Sequence, residues 1–223
     1  GGGMEYPNIT VISRSDTEDL LEYVIMHEVG HNWFYGILGT NERDHAWMDE
    51  GLTEFSGIRY WEEKYDKRNG RFIFSELLQD KIGIGKNVDI SYYQYSGYCS
   101  GATSQDAQPL NISSDENYFY RNYGKNYSKV SVMMRYLQHY LGEEKLDIIM
   151  QDYYESWKFK HPGPKDFVSF FNKHLDEDIN WFFENMIDST TYIDYKISKI
   201  NGKYLLENVG SFNAMAEVAY YDD

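Results

Sequence analysis

The chain has one cysteine, few basic residues and no long apolar run, and each shortage removes a class of protein. Cys99 cannot close an intramolecular disulfide, so neither a disulfide scaffold nor a cysteine-rich metal site is available. No local signature of a nucleophile surrounds it, and it reads as an inert thiol. No stretch approaches the roughly 18 apolar residues of a membrane span. The 21 Lys and Arg stand against 36 Asp and Glu, a net charge of −15, which speaks against binding nucleic acid through neutralised phosphates. No signal peptide is visible. The opening Gly1-Gly2-Gly3-Met4-Glu5 reads as an entry in mid-protein, so targeting signals are expected upstream and the compartment stays open.

What the chain does have is aromatic: 17% of it, including 22 Tyr and 5 Trp, which argues for a packed core over disorder. At 223 residues there is room for one large core or two small ones.

Two of the six histidines fall four apart, in His27-Glu28-Val29-Gly30-His31, and Glu50 follows. On a helix, positions i and i+4 share a face, so both imidazoles can point at one ion. Glu50 would complete the His₂Glu set of a catalytic zinc with one open position. Glu28, beside the pair, can reach the attacking water as a base without being a ligand. The bare H-E-x-x-H arises by chance in about one shuffled chain in a hundred, and a Glu at one fixed later position makes chance roughly tenfold rarer. Phe34 and Ile37 stand where the longer metzincin motif needs Gly and His, and no H-x-x-E-H occurs. Glu54, one turn after Glu50, is a candidate to accept the other ring N–H of a ligand histidine, with Asp49 as its competitor. His45, His139, His161 and His174 show no partner spacing and read as structural.

The β-branched residues of 4–13 suggest a strand. Asp16 or Thr17 can cap a helix from Glu18 through the motif to Tyr35, ended by Gly36 and Gly39. A second helix from Trp47 to Tyr65 carries Glu50 to face the first, and a shorter helix is predicted over Arg71 to Lys81. Residues 82–126, punctuated by glycines and rich in Tyr and Ser, read as a long excursion with one short helix. Its tyrosines between 92 and 123 either line the cleft or pack beneath a loop. Helical periodicity returns at 129–140, 143–157, 164–174 and 179–186. Alternation around Asn201-Gly202 within 192–221 then predicts a hairpin.

With these residues in view, His27-Glu28-Val29-Gly30-His31-Asn32-Trp33 and Trp47-Met48-Asp49-Glu50-Gly51 resemble the zinc aminopeptidases of the aminopeptidase N type, in the gluzincin group. Gly2-Gly3-Met4-Glu5-Tyr6 resembles the family's G-x-M-E-N segment, with Tyr6 in place of Asn. Tyr127-Ser128-Lys129 resembles its Y-x-K-G helix, with Val130 in place of Gly. Trp157-Lys158-Phe159 and Trp181-Phe182 recur in its helical part.

The resemblance implies an α+β, mostly α, thermolysin-like catalytic domain with a small β subdomain over 1–195. A truncated start of a β module would occupy 196–223, and the family's N-terminal β domain would lie upstream. It implies one zinc ion held by His27, His31 and Glu50, with Glu28 as general base. Tyr127 would donate to the oxyanion, with Tyr123 as its rival. Gly2, Gly3, Met4 and Glu5 would bind substrate, Glu5 pairing with the free α-ammonium of a peptide. The expected function is therefore a zinc aminopeptidase acting on peptides with a free N-terminus. A zinc endopeptidase and a non-catalytic zinc-stabilised binding domain are the alternatives. Oligomeric state and the preferred N-terminal residue are not readable from the sequence.

Overall fold

A computed structural model describes residues 2–65, 89–216, 218 and 219, with only the backbone of Arg121. The helix expected over Arg71 to Lys81 lies outside the described residues. The chain begins with a minimal hairpin, β1 (Gly3–Met4) antiparallel to β2 (Val11–Ile12), rather than one strand over 4–13. The interruption is local: Pro7 has no N–H to give a ladder, and Asn8 turns at φ 66°. The N–H of Ile9 closes this turn on the carbonyl of Tyr6 at 3.1 Å.

Helix α1 (Glu18–Gly30) is capped by Thr17, whose hydroxyl accepts the N–H of Leu20 at 3.2 Å, with Glu18 and Asp19 at the positive end of the helix dipole. It stops at Gly30, five residues before the expected end. The N–H groups of Gly36, Ile37 and Leu38 reach back five residues, to the carbonyls of His31, Asn32 and Trp33. That is the wide hydrogen-bonding pattern of a π turn, which often marks functional sites. Asn32 seals the helix end by donating to the carbonyl of Val29 at 2.8 Å.

A 3₁₀ turn at Ala46–Met48 leads to α2 (Glu50–Tyr65). The carboxylate of Asp49 accepts the N–H of Glu50 at 2.6 Å, which starts the helix at the ligand candidate itself. Among its described residues the excursion contains a short helix, α3 (Ser91–Ala102). Helix α4 (Tyr120–Leu141) begins nine residues before the predicted Lys129. Gly124 lowers helix propensity by about 1 kcal/mol, yet burial of Asn122, Lys125 and Asn126 on either side carries the helix through it.

Helices α5 (Glu143–Trp157), α6 (Pro164–His174) and α7 (Asn180–Ile187) follow close to their predicted bounds. The hairpin β3 (Tyr195–Ile200) and β4 (Lys203–Asn208) turns at Asn201 and Gly202, both at positive φ as a two-residue type I′ turn requires.

The main core joins α2 to α7: Trp47, Phe55, Met133, Leu146, Phe167, Phe171 and Phe183 are all buried within it. Phe212, past the second hairpin, returns to this core against Trp181 and Phe182. A tight helix crossing sets the site. A Cβ on Gly51 would overlap the side chain of Val130 and the carbonyl of Asn126, so only glycine lets α2 meet α4 this tightly. Val130, the departure from the family's Gly, is fully buried in this contact. Arg135 grips Glu62 with both guanidinium nitrogens, adding a bidentate pair across the same two helices. Among the described residues no helix is long and apolar enough to cross a membrane.

Candidate metal centre and cleft

Helices α1 and α2 bring His27, His31 and Glu50 together as the sequence spacing demands. His27 Nε2 lies 3.1 Å and His31 Nε2 3.3 Å from Glu50 Oε2, and the two Nε2 atoms are 3.2 Å apart. Tetrahedral zinc with bonds of about 2.0–2.1 Å needs donor separations of about 3.3 Å. The three distances are close to that edge length.

The outer hydrogen bonds fix which nitrogens are bare. His27 Nδ1 faces the Glu54 carboxylate at 3.1 Å, and His31 Nδ1 faces the carbonyl of Phe34 at 3.2 Å. Both partners can only accept, so each Nδ1 carries a proton, and Nε2 is the nitrogen that presents a lone pair when the ring is neutral. Two imidazole nitrogens and a carboxylate oxygen thus converge at the range of a metal's donor atoms. The donor set therefore fits a divalent ion such as zinc. The structure also separates the rivals for the outer position: Glu54 holds His27, whereas Asp49 is engaged with the Glu50 N–H.

Protons compete with the ion for this site. Burial disfavours charge on His27, but hydrogen bonds and charge from Glu50 and Glu54 outweigh it and lift its pKa to about 10. Glu50 is itself buried, yet its bonds to His27 and His31 pull it down to about 2. Because His27 must surrender a proton to become a ligand, zinc uptake at pH 7.5 is expected to release about one proton per ion. Calorimetry in buffers of differing ionisation heat measures it, and a buffer-independent heat would contradict it.

Glu28 sits beside this cluster, 5% exposed, and its Oε2 has no hydrogen-bond partner among the described residues. Burial, opposed by the charge on His27 and reinforced by Glu5, raises its pKa to about 7. A Cβ on Gly3 would collide with the Glu28 carboxyl group. That carboxyl is the flexible end of its side chain, so Gly3→Ala should displace it at little cost to the fold. The expected result is a 10–100-fold fall in kcat with an unchanged melting curve. Equal activity would show that the contact does not constrain Glu28.

Glu5 reaches the same neighbourhood: its carboxylate, one from Glu28 and a ring nitrogen of His31 lie within 4.8 Å of one another. Gly2, Gly3, Met4 and Glu5 line a cavity of about 830 Å³ together with His27, Glu28, Glu50 and Glu54. Two of the phenols of α4 donate to Glu50 Oε1, Tyr123 at 3.1 Å and Tyr127 in a shorter contact. Tyr127 alone of the two also stacks on His27, with ring centroids 5.6 Å apart. Tyr93 and Tyr120 line the cleft as well, whereas Tyr92 and Tyr95 are exposed outside its lining. Two residues around Glu54 escaped the sequence reading: Tyr23 and Gln94 both donate to its Oε1, the latter at 2.5 Å. Tyr23 stands one turn before His27, a spacing that could have pointed to it.

This is a mostly helical domain with a small sheet and a His₂Glu cluster at the base of a cleft. Residues 6–186 match the Peptidase family M1 domain, and the chain belongs to that family. It is 25% identical over 196 residues to glutamyl aminopeptidase of Rattus norvegicus, covering 86% of this chain and 19% of that protein. To aminopeptidase B of the same species it is 24% identical over 188 residues, covering 79% and 26%. To leucine aminopeptidase 2-1 of Meyerozyma guilliermondii it is 23% identical over 255 residues, covering 99% and 39%. The chain thus spans well under half the length of these curated relatives. The fold is similar to the M1 zinc metallopeptidase from Deinococcus radiodurans, with TM-score 0.62, 13% identity, and 85% of this chain covered against 37% of that one. It is also similar to native leukotriene A4 hydrolase from Saccharomyces cerevisiae, with TM-score 0.60, 17% identity and coverages of 84% and 29%.

Proposed function

We propose that this chain is the thermolysin-like catalytic part of a zinc aminopeptidase that removes residues from the free N-terminus of peptides. One observation carries the choice of aminopeptidase over other zinc hydrolases: the convergence of Glu5 on Glu28 and His31. A carboxylate at that position can pair with a substrate's α-ammonium, which leaves the first peptide bond over the cluster. His27, His31 and Glu50 hold one zinc ion. When bound, zinc supplies Lewis acidity that polarises the scissile carbonyl and brings the pKa of water toward about 7.

The remaining steps belong to the chain's own side chains. Glu28 accepts the proton of the attacking water on its unpartnered Oε2 and returns it to the leaving amine. Tyr127 turns its hydroxyl from Glu50 to the oxyanion that develops on the substrate. Gly2, Gly3 and Met4 offer an edge of backbone that an extended peptide can approach closely. Residues 1–195 carry this chemistry. The hairpin β3–β4 belongs to a separate β module, anchored through Phe212 in the helical core.

Mass spectrometry of peptide pairs, one member free and one N-acetylated, tests the reading with zinc-loaded protein. Stepwise loss from the free peptides alone is expected. Internal cuts in both members would favour the endopeptidase reading and remove Glu5 from its role. Zinc retained without any cleavage would favour a binding domain, a reading against which the buried, unpaired Glu28 already speaks.

A further inference from the structure

We infer that Gln94 and Tyr23 are positioning residues for the metal centre, acting through Glu54 on the ligand His27. The inference rests on the zinc reading above but concerns residues to which the family motifs assign nothing. Glu54 is almost wholly buried, and its two oxygens are used differently. Oε2 faces His27 Nδ1 at 3.1 Å. Oε1 takes two donors, the Tyr23 hydroxyl from α1 and Gln94 Nε2 from α3 at 2.5 Å. Gln94 Nε2 also reaches the Tyr23 oxygen at 3.3 Å, closing a small ring of three side chains.

The terminal torsion of a glutamate is broad and roughly two-fold, so a carboxylate held by one contact swings freely. Two donors on one oxygen remove that freedom and leave the other oxygen only the histidine to face. The imidazole is thereby fixed in ring angle and in tautomer, with Nδ1 protonated and Nε2 turned to the ion.

The orientation of Gln94 argues that the contact is selected and not incidental packing. Its residue is 2% exposed, and with Nε2 committed to the carboxylate its Oε1 has no hydrogen-bond partner among the described residues. A buried amide oxygen without a partner is unfavourable, and an apolar side chain of equal length would fill the space without that penalty. The chain accepts the penalty, and what it obtains is a donor on Glu54. Helix α3 packs along α4, and through the Gln94 amide it contributes to the metal centre.

The test is zinc affinity of the 1–223 chain, measured by competition with a fluorescent chelator, for the wild type, Gln94→Met and Tyr23→Phe. Methionine keeps the length of Gln94 and removes its donor, and phenylalanine keeps the ring of Tyr23 and removes its hydroxyl. Each variant is expected to bind zinc 10–100-fold more weakly, as outer-partner losses do. The metal-free melting curve should stay within a few degrees of wild type. At saturating zinc, KM for a peptide should be unchanged.

Unchanged zinc affinity in both variants overturns the inference, as does a lowered metal-free melting temperature with affinity intact, which would mark a purely structural contact. Should Gln94→Met fail to fold, Tyr23→Phe decides alone. A wild-type chain that holds no zinc would overturn the functional reading together with this one. Wild-type binding matched by both variants overturns this one only.

Discussion

Glu28→Gln is expected to keep the metal and lose turnover, with kcat down by about 10²–10⁴-fold. The argument is geometric before it is electrostatic. Glu28 is walled in by Gly3 and nearly inaccessible, and its Oε2 has no hydrogen-bond partner among the described residues. Glutamine fits the same space but has no basic oxygen. Since Glu28 is not among the three converging donors, zinc content should match wild type. The pH profile follows with a definite sign. A carboxyl raised to about 7 is protonated, and useless as a base, below that value, so kcat/KM should fall on the acid side. A bound cation pulls the carboxyl down and moves that limb to lower pH. Metal analysis beside steady-state rates checks both points. A variant retaining more than a tenth of the activity would remove Glu28 from the role of base.

Tyr127→Phe should lower kcat by about 10²–10³-fold with KM nearly unchanged, the pattern of an interaction made only in the transition state. Tyr123→Phe should cost far less. Both phenols donate to Glu50 Oε1, so hydrogen bonding alone does not separate them. Their surroundings do, because Tyr127 lies against the His27 ring and Tyr123 one turn nearer the mouth of the helix. Burial and the Glu50 charge raise both hydroxyls well above their ordinary values, so each stays protonated and able to donate. The two variants run side by side on one peptide decide the assignment. A larger loss from Tyr123→Phe would exchange the roles.

The metal cluster was legible in the sequence because helical spacing is a local property: four residues from His27 to His31, and four from Glu50 to Glu54. Tyr23 carried the same signal, one turn before His27, but tyrosine is too common in this chain for the spacing to stand out. Gln94 carried none. It reaches Glu54 across 40 residues of sequence through the packing of α3, and pairwise contacts at that separation leave no periodicity. The start of α4 was missed for a related reason: Gly124 and the surrounding Tyr and Asn lower local propensity, while tertiary burial sustains the helix. At the N-terminus the turn signal Pro7-Asn8 was present and outweighed by β-branched neighbours, so a hairpin read as a single strand.

That hairpin gives the molecule an uneven vulnerability. The wall against which Glu28 rests is a strand of two residues, paired to another of two, with Tyr6, Ile9 and Val11 all open to solvent. His27 and His31, by contrast, are supported by long helices and a dense aromatic core. Elements with so few buried contacts open at far lower free energy than the body of a domain. Mild heat or denaturant is thus expected to free Glu28 from its wall while the His₂Glu cluster still stands, so that on the proposed reading loss of catalysis comes ahead of collapse of the fold.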